Sequence, residues 1–177
     1  MTSAYLRGQE LVDAIQSSSY SRDLIGYHGQ VPHAQWPNQA KIAVQFVLNY
    51  EEGGENHVEH GDLGSEQFLS EIVGAASFNA KHMSMDSMYE YGSRAGFWRI
   101  HQEFQKRCLP MTIFGVGMAL ARNPYVVEAI QQAHYDVVSH GQRWLHYQHI
   151  DIDTERQHMD QAISVLEALF GKTPISW

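Results

Sequence analysis

Four short apolar runs, separated by segments in which apolar residues recur every three or four positions, set the rhythm of the chain. The first run, KIAVQFVL at Lys41–Leu48, has the β-branched density of a strand buried on both faces. It ends in Asn49-Tyr50-Glu51-Glu52-Gly53-Gly54, an acidic, glycine-bearing turn of the kind that forms the mouth of an α/β domain. Ahead of it, turn formers at Gly26, Gly29, Pro32 and Pro37 leave residues 1–40 irregular, with a short helical candidate near Glu10–Gln16. From Glu55 to Gly92 the pattern is weak and polar, with one helix candidate at Glu66–Ala76; a weak stretch of this length often marks a functional loop.

The second half is more regular. Ser93 reads as an N-cap, and Phe97, Ile100 and Phe104 follow at helical spacing until Pro110 closes the helix. Met111–Val116 is the second strand, and Asn123-Pro124 is an N-cap followed by proline at the first helical position. Val127, Ile130 and Ala133 give the inner face of that helix, and Tyr135–Ser139 is a third strand ending at His140-Gly141. Thr154 and Gln157 have capping-box spacing, and their helix carries Met159, Ile163, Leu166 and Phe170 inward before stopping at Gly171. A fourth strand starts at Ile175.

Strands alternating with helices predict a parallel sheet in one α/β domain spanning residues 1–177. The acidic motif and the histidine motif both follow strand C-termini, where barrels and open α/β sheets place their sites. Four strands do not close a barrel, which typically takes ~250 residues. The expectation is an incomplete (β/α) barrel lacking its C-terminal strands.

Charge and composition narrow the partners. The net charge is −8 with no run of Lys or Arg, which disfavours nucleic acid and anionic membrane surfaces. No apolar stretch approaches the ~18 residues of a membrane span. The start, MTSAYLRGQELVDAIQ, lacks a secretory pattern, so a cytoplasmic protein is expected. Cys108 has no partner for an internal disulfide and is expected to be a buried small hydrophobe. Neither a P-loop, a dinucleotide fingerprint nor a G-x-S-x-G elbow occurs, which disfavours nucleotide cofactors and serine hydrolase chemistry.

The candidate chemistry sits at Glu51, Glu52 and His140. Neighbouring strand residues point to opposite faces, so the two carboxylates share a site only if the backbone turns there, which Gly53-Gly54 permits. One of them could act as a general base toward water; the alternative is a solvated loop. His140 could be a metal ligand, an acid or a base, or simply a hydrogen-bonded strand end. Arg143 could hold a carbonyl or pair with a carboxylate, and Trp144 could wall a flat ligand or fill the core. His57/His60 and His146/His149 have metal-site spacing, but no further ligands at fixed intervals accompany them.

Taken together, these motifs resemble the polysaccharide deacetylase superfamily, whose first motif is a Thr-Phe-Asp-Asp-Gly strand end and whose second is His-[Ser/Thr]-x-x-His. Asn49–Gly53 takes the place of the first and His140–Trp144 that of the second. Glutamates replace both aspartates, and Trp144 stands where the second metal histidine is expected. The segments NYEEGGE, YEYGSRAG, SHGQRWLHY, RDLIGYHG and HMSMDSMYEYGSR closely resemble the allantoinase branch of that superfamily. One position departs, because His146 stands where an acidic residue is expected.

The resemblance implies a hydrolase acting on carbon–nitrogen bonds other than peptide bonds, opening the hydantoin ring of allantoin to allantoate in purine breakdown. It implies Glu51 and His140 as catalytic residues, with Glu52, Arg94, Arg143 and Trp144 toward the substrate. No metal is expected, because Trp144 displaces one of three protein ligands and would weaken zinc or cobalt binding. The expected partner is a small molecule, with homo-oligomers at full length. Two alternatives stand beside this reading: a metal-dependent deacetylase of chitin-like or peptidoglycan sugars, and an inactive truncated fragment.

Overall fold

The computed structural model describes residues 5–68, 74, 76, 78–174 and 176, and the chain divides into two compact units at Ala43/Val44. The first unit holds the helix α1 (Gly8–Ser17) and a 3-10 turn at Pro37–Gln39. None of its described residues is buried. The helix candidate at Glu66–Ala76 and the fourth strand at Ile175 fall largely on residues outside those described.

The second unit is built on a three-stranded parallel sheet in the order β1 (Val47–Tyr50), β2 (Thr112–Gly115), β3 (Asp136–Ser139). The register pairs Tyr50 with Gly115 and Gly115 with Ser139, so all three strands end level. Beyond β3, Ser139 N donates to Ser176 O at 3.1 Å, so the next chain segment reaches the sheet edge. The connections are helical: α2 (Met83–Tyr91), a π-helical turn (Gly92–Gly96) and α3 (Phe97–Arg107) link β1 to β2. The short α4 (Gly117–Ala121) and α5 (Pro124–Gln132) link β2 to β3, and α6 (Ile152–Phe170) follows β3.

Period-two alternation decides which face is covered. Leu48, Tyr50, Ile113 and Val137 pack with Phe97, Leu120, Val126, Ile130 and Leu166 into one core. Tyr50 meets Phe97 edge to face at 5.8 Å, and Phe46 meets Phe104 the same way at 5.2 Å. In the opposite row, Phe114 and Val138 face a cavity whose walls include Gln45, Thr112 and Thr173, and Asn49, level with Phe114, lines a separate pocket. Helices on one face and an open concave face on the other make one arc of a (β/α) barrel.

Several expectations need correction. The first strand is Val47–Tyr50 rather than Lys41–Leu48, and it is half-buried, not buried on both faces: Val47 and Asn49 are exposed while Tyr50 is buried. It is the edge strand with one covered face, so its outer row finds no described neighbour to pack on. The helix expected from Ser93 begins ten residues earlier, at Met83, because the π-helical turn continues the backbone through Gly92 and Gly96. Cys108 is exposed, for it is the left-handed C-cap of α3 (φ 51°) and so leaves the helical repeat that carries the apolar face.

The N-cap of α6 is Asp151, whose carboxylate accepts from the backbone N–H of Asp153 and Thr154, so Thr154 lies inside the helix. Ala162 and Leu166 are its buried residues, and Met159 is exposed. The Asn123-Pro124 start and the Gly171 stop are as expected. Among the described residues no helix is long and apolar enough to cross a membrane.

Candidate active site

The level strand ends gather the chemistry. Because neighbouring strands lie about 4.8 Å apart, the backbones after β1 and β3 are separated by roughly twice that, with β2 between them. Glu51 continues the Asn49 row and His140 continues the Val138 row, so both side chains stand on the open face and reach toward each other. They meet: His140 Nε2 lies 2.7 Å from Glu51 Oε1. Asn49 Nδ2 donates to the same carboxylate oxygen at 3.4 Å, and the Phe114 ring lies 5.9 Å from the imidazole. The pair is partly shielded, Glu51 at 19% exposure and His140 at 36%.

The turn needed to bring in the second carboxylate is present. Gly54 N donates to Glu51 O at 2.9 Å, and Gly53 takes φ 99°, which a side chain rarely tolerates. Glu52 thereby leaves the strand on the Tyr50 side and fills the space against Gly92. Burial pushes its carboxyl above the usual carboxylate range, reinforced by the charges of Glu51 and Glu55 and opposed by backbone N–H donors. Burial likewise pushes the Tyr50 phenol up to about 12.

Asn49, Glu51, Glu52, Glu55, Tyr89 and Trp144 line one pocket of about 180 Å³. Trp144 is anchored by its backbone N–H, which donates to Gly54 O at 2.9 Å, and Tyr89 stands edge-on to the indole at 6.4 Å. On the far side of Glu52, Glu55 and Tyr89 lies a polar chamber of about 250 Å³ that also touches His57, Asp86 and Arg122.

Of the residues expected at the site, Glu51, Glu52, His140 and Trp144 come together. Arg143 takes the pairing role: its guanidinium binds Asp62 at 2.5 and 2.9 Å and Glu55 O at 3.0 Å, and does not line the pocket. Although burial opposes it, the Arg143 contact holds the Asp62 carboxyl below its usual range. Arg94 is not among the pocket residues either. It is exposed on the π-helical turn and pairs with Glu90 at 2.7 Å, the i,i+4 partner that helical spacing supplies.

Sequence reasoning assigned no role to Tyr89, Asn49 or Asp62. Tyr89 lay inside the quoted YEYGSRAG motif, and the period-two relation of Asn49 to Glu51 was the available signal.

The two histidine pairs are engaged elsewhere. His57 accepts from Glu59 N at 3.2 Å and contacts Asp86 at 3.3 Å. His60 lies between Glu55 O and the Arg122 guanidinium, 3.0 and 2.8 Å away, and burial with the two nearby arginines lowers its pKa. His146 caps its own 3-10 turn by accepting from Gln148 N. A divalent metal of the deacetylase type does not fit the main site. His140 Nε2 is taken by Glu51, Glu52 sits against Gly92, and Trp144 offers no donor. Among the described residues no three His, Cys, Asp or Glu side chains gather as ligands.

Comparison with known proteins agrees with this architecture. The family model "Polysaccharide deacetylase" matches residues 79–177. A protein of Schizosaccharomyces pombe named "Putative polysaccharide deacetylase" is 40% identical over 162 residues, covering 89% of this chain and 51% of its own length. The crystal structure of PuuE allantoinase superposes with a TM-score of 0.84 at 51% identity, covering 90% of this chain and 53% of that one. A structure titled probable polysaccharide deacetylase, from Pseudomonas aeruginosa PAO1, matches equally, with TM-score 0.84, 52% identity and coverage of 89% and 53%. The chain thus spans about half the length of these relatives. With its parallel strands, its helical layer and its strand-end motifs in place, the chain belongs to the polysaccharide deacetylase family.

Proposed function

We propose that this chain supplies the front half of a metal-independent cyclic amide hydrolase that opens the hydantoin ring of allantoin to give allantoate. The observation that carries the reading is the 2.7 Å contact between Glu51 and His140 beside a wall formed by Trp144 and Tyr89. A neutral planar ring suits an aromatic wall and a few hydrogen-bonding groups better than an extended sugar groove. The 51% identity to PuuE allantoinase supports the same substrate class.

In this reading Glu51 takes a proton from water as its oxygen forms the new bond to the ring carbonyl carbon. The carbon–nitrogen bond then breaks, and the imidazolium of His140 returns a proton to the departing ring nitrogen. The direct Glu51–His140 contact lets one proton pass between the two groups, so the pair is reset after each turnover. Asn49 fixes the Glu51 carboxylate, and Glu52 and Trp144 shape the pocket. Arg143 and Arg94 have no direct part. The expected setting is cytoplasmic, with homo-oligomers at full length.

The test is conversion of allantoin with and without a chelator, on this chain and on a version extended to the length of its relatives. Chelator-resistant conversion supports the proposal. Replacing Glu51 with Gln in the active form should lower kcat at least ~100-fold, and a near-normal rate removes Glu51 as the base.

A second reading, a metal-dependent deacetylase acting on sugar N-acetyl groups, is favoured by the equally similar probable polysaccharide deacetylase of Pseudomonas aeruginosa PAO1. It requires stoichiometric zinc or cobalt and activity abolished by chelator, and it has to find a third ligand where Trp144 stands.

A further inference from the structure

Resting on the functional reading above, we propose that Gly92 is a positioning residue for Glu52, and that the π-helical turn holds a bare stretch of backbone against that carboxylate so that it faces the pocket. A Cβ built on Gly92 would lie 2.6 Å from Glu52 Cδ and closer still to Oε1. The first heavy atoms that any side chain at position 92 meets therefore belong to Glu52. They are the far end of a flexible side chain, so a substitution there relocates the carboxylate rather than breaking the backbone.

Glu52 is where such a shift matters. It lines both the aromatic-walled pocket and the polar chamber behind it, and is a wall between them. Its Oε2 lies 3.4 Å from the backbone N–H of Glu51, so its place is tied to the segment that carries the base. Gly92 itself has helical dihedrals (φ −56°, ψ −55°), so the turn does not need glycine for its conformation. What it needs is the missing side chain. In an ordinary helix Gly→Ala is stabilising, because alanine has the higher helix propensity. Keeping glycine in the middle of a 25-residue helical stretch, Met83–Arg107, serves the carboxylate and not the helix.

The experiment combines Gly92→Ala with changes at Glu52. Gly92→Ala is expected to fold with an unchanged or slightly raised Tm while kcat for allantoin falls roughly 10- to 100-fold, the usual scale for a displacement near 1 Å. Glu52→Asp, one methylene shorter, lowers kcat in the native background but partly restores it in the Gly92→Ala background, because the shorter acid clears the new methyl group. That reversal is a signature that a merely structural glycine does not give. Wild-type kcat in a folded Gly92→Ala variant overturns the proposal, as does loss of activity that Glu52→Asp deepens.

A substrate-free arm keeps the two claims separable. Gly92→Ala should raise Tm more in a Glu52→Ala background than in the native one, because the relocated carboxylate no longer offsets the propensity gain. Equal changes in both backgrounds overturn the positioning role. If no form converts allantoin while that coupling is present, the functional reading fails and the role of Gly92 stands.

Discussion

At the scale of single residues, two glutamates that adjoin in sequence occupy different chemical environments, and that difference is measurable without substrate. Glu51 sits in hydrogen-bonding contact with His140 and Asn49, whereas Glu52 is pressed against helix backbone with its carboxyl pushed above the usual range by burial. A folded-state pKa raised above the unfolded value means that the folded state loses stability as pH rises through it. Glu52→Gln is therefore expected to raise Tm at pH 8 and to leave it unchanged near pH 3.5, where the wild-type carboxyl is already neutral. Thermal melts at the two values decide it, and equal shifts at both would remove burial of charge as the cause.

The acidic turn was legible because Glu-Glu-Gly-Gly follows an apolar strand. The environment of Glu52 was not, since it depends on Gly92, forty residues away and separated by a weakly patterned loop.

Between elements, polar side chains fasten loops and helices that apolar periodicity does not link. Asn123 caps α5 by accepting from Val126 N at 3.3 Å and donates to Tyr50 Oη at 2.9 Å. Asn123→Ala should destabilise by about 1–2 kcal/mol in denaturant melts, the cost of a lost cap with a lost buried hydrogen bond.

The Arg143–Asp62 pair joins the loop after β3 to the loop after β1, with side-chain exposures of only 12% and 19%. Removing one partner strands the other, so Arg143→Met should cost about 3 kcal/mol. His60, lowered by burial between Arg122 and Arg143, and Asp62, lowered by Arg143, both favour the deprotonated fold. Stability should fall as pH drops below the ordinary histidine value of about 6.5, and again through the carboxylate range. In Arg143→Met the second step should shrink. Here the sequence offered two readings for Arg143 and no means to choose, because Asp62 lies 81 positions away.

Taken as a whole molecule, the chain contrasts a sheet-centred unit with an N-terminal unit in which no described residue is buried. Local opening free energy scales with buried apolar contact, so limited trypsin digestion should cut at Arg7, Arg22 and Lys41 well before any site between Val44 and Lys172. Early cleavage inside α3 or α6 would contradict this. The order of strands and helices in the second unit was readable from the pattern, since short apolar runs and segments of period 3.6 alternate clearly there. The half-burial of β1 was not, because an edge strand with one covered face and a central strand can share the same apolar composition.

The π-helical turn also acts as an angular offset. In an uninterrupted α-helix, residues twelve positions apart, such as Met85 and Phe97, would point about 120° away from each other. One extra residue taken up in a wide turn brings that angle to roughly 20°. Met85 and Phe97, at 1% and 3% exposure, are both buried, as that smaller angle allows. Deleting a single residue such as Ala95 would restore regular winding and rotate the first half of the rod by about a quarter turn or more, carrying Tyr89 off the indole of Trp144. The length of this segment, counted in residues, is therefore as much a determinant of the pocket as the identity of the side chains that line it.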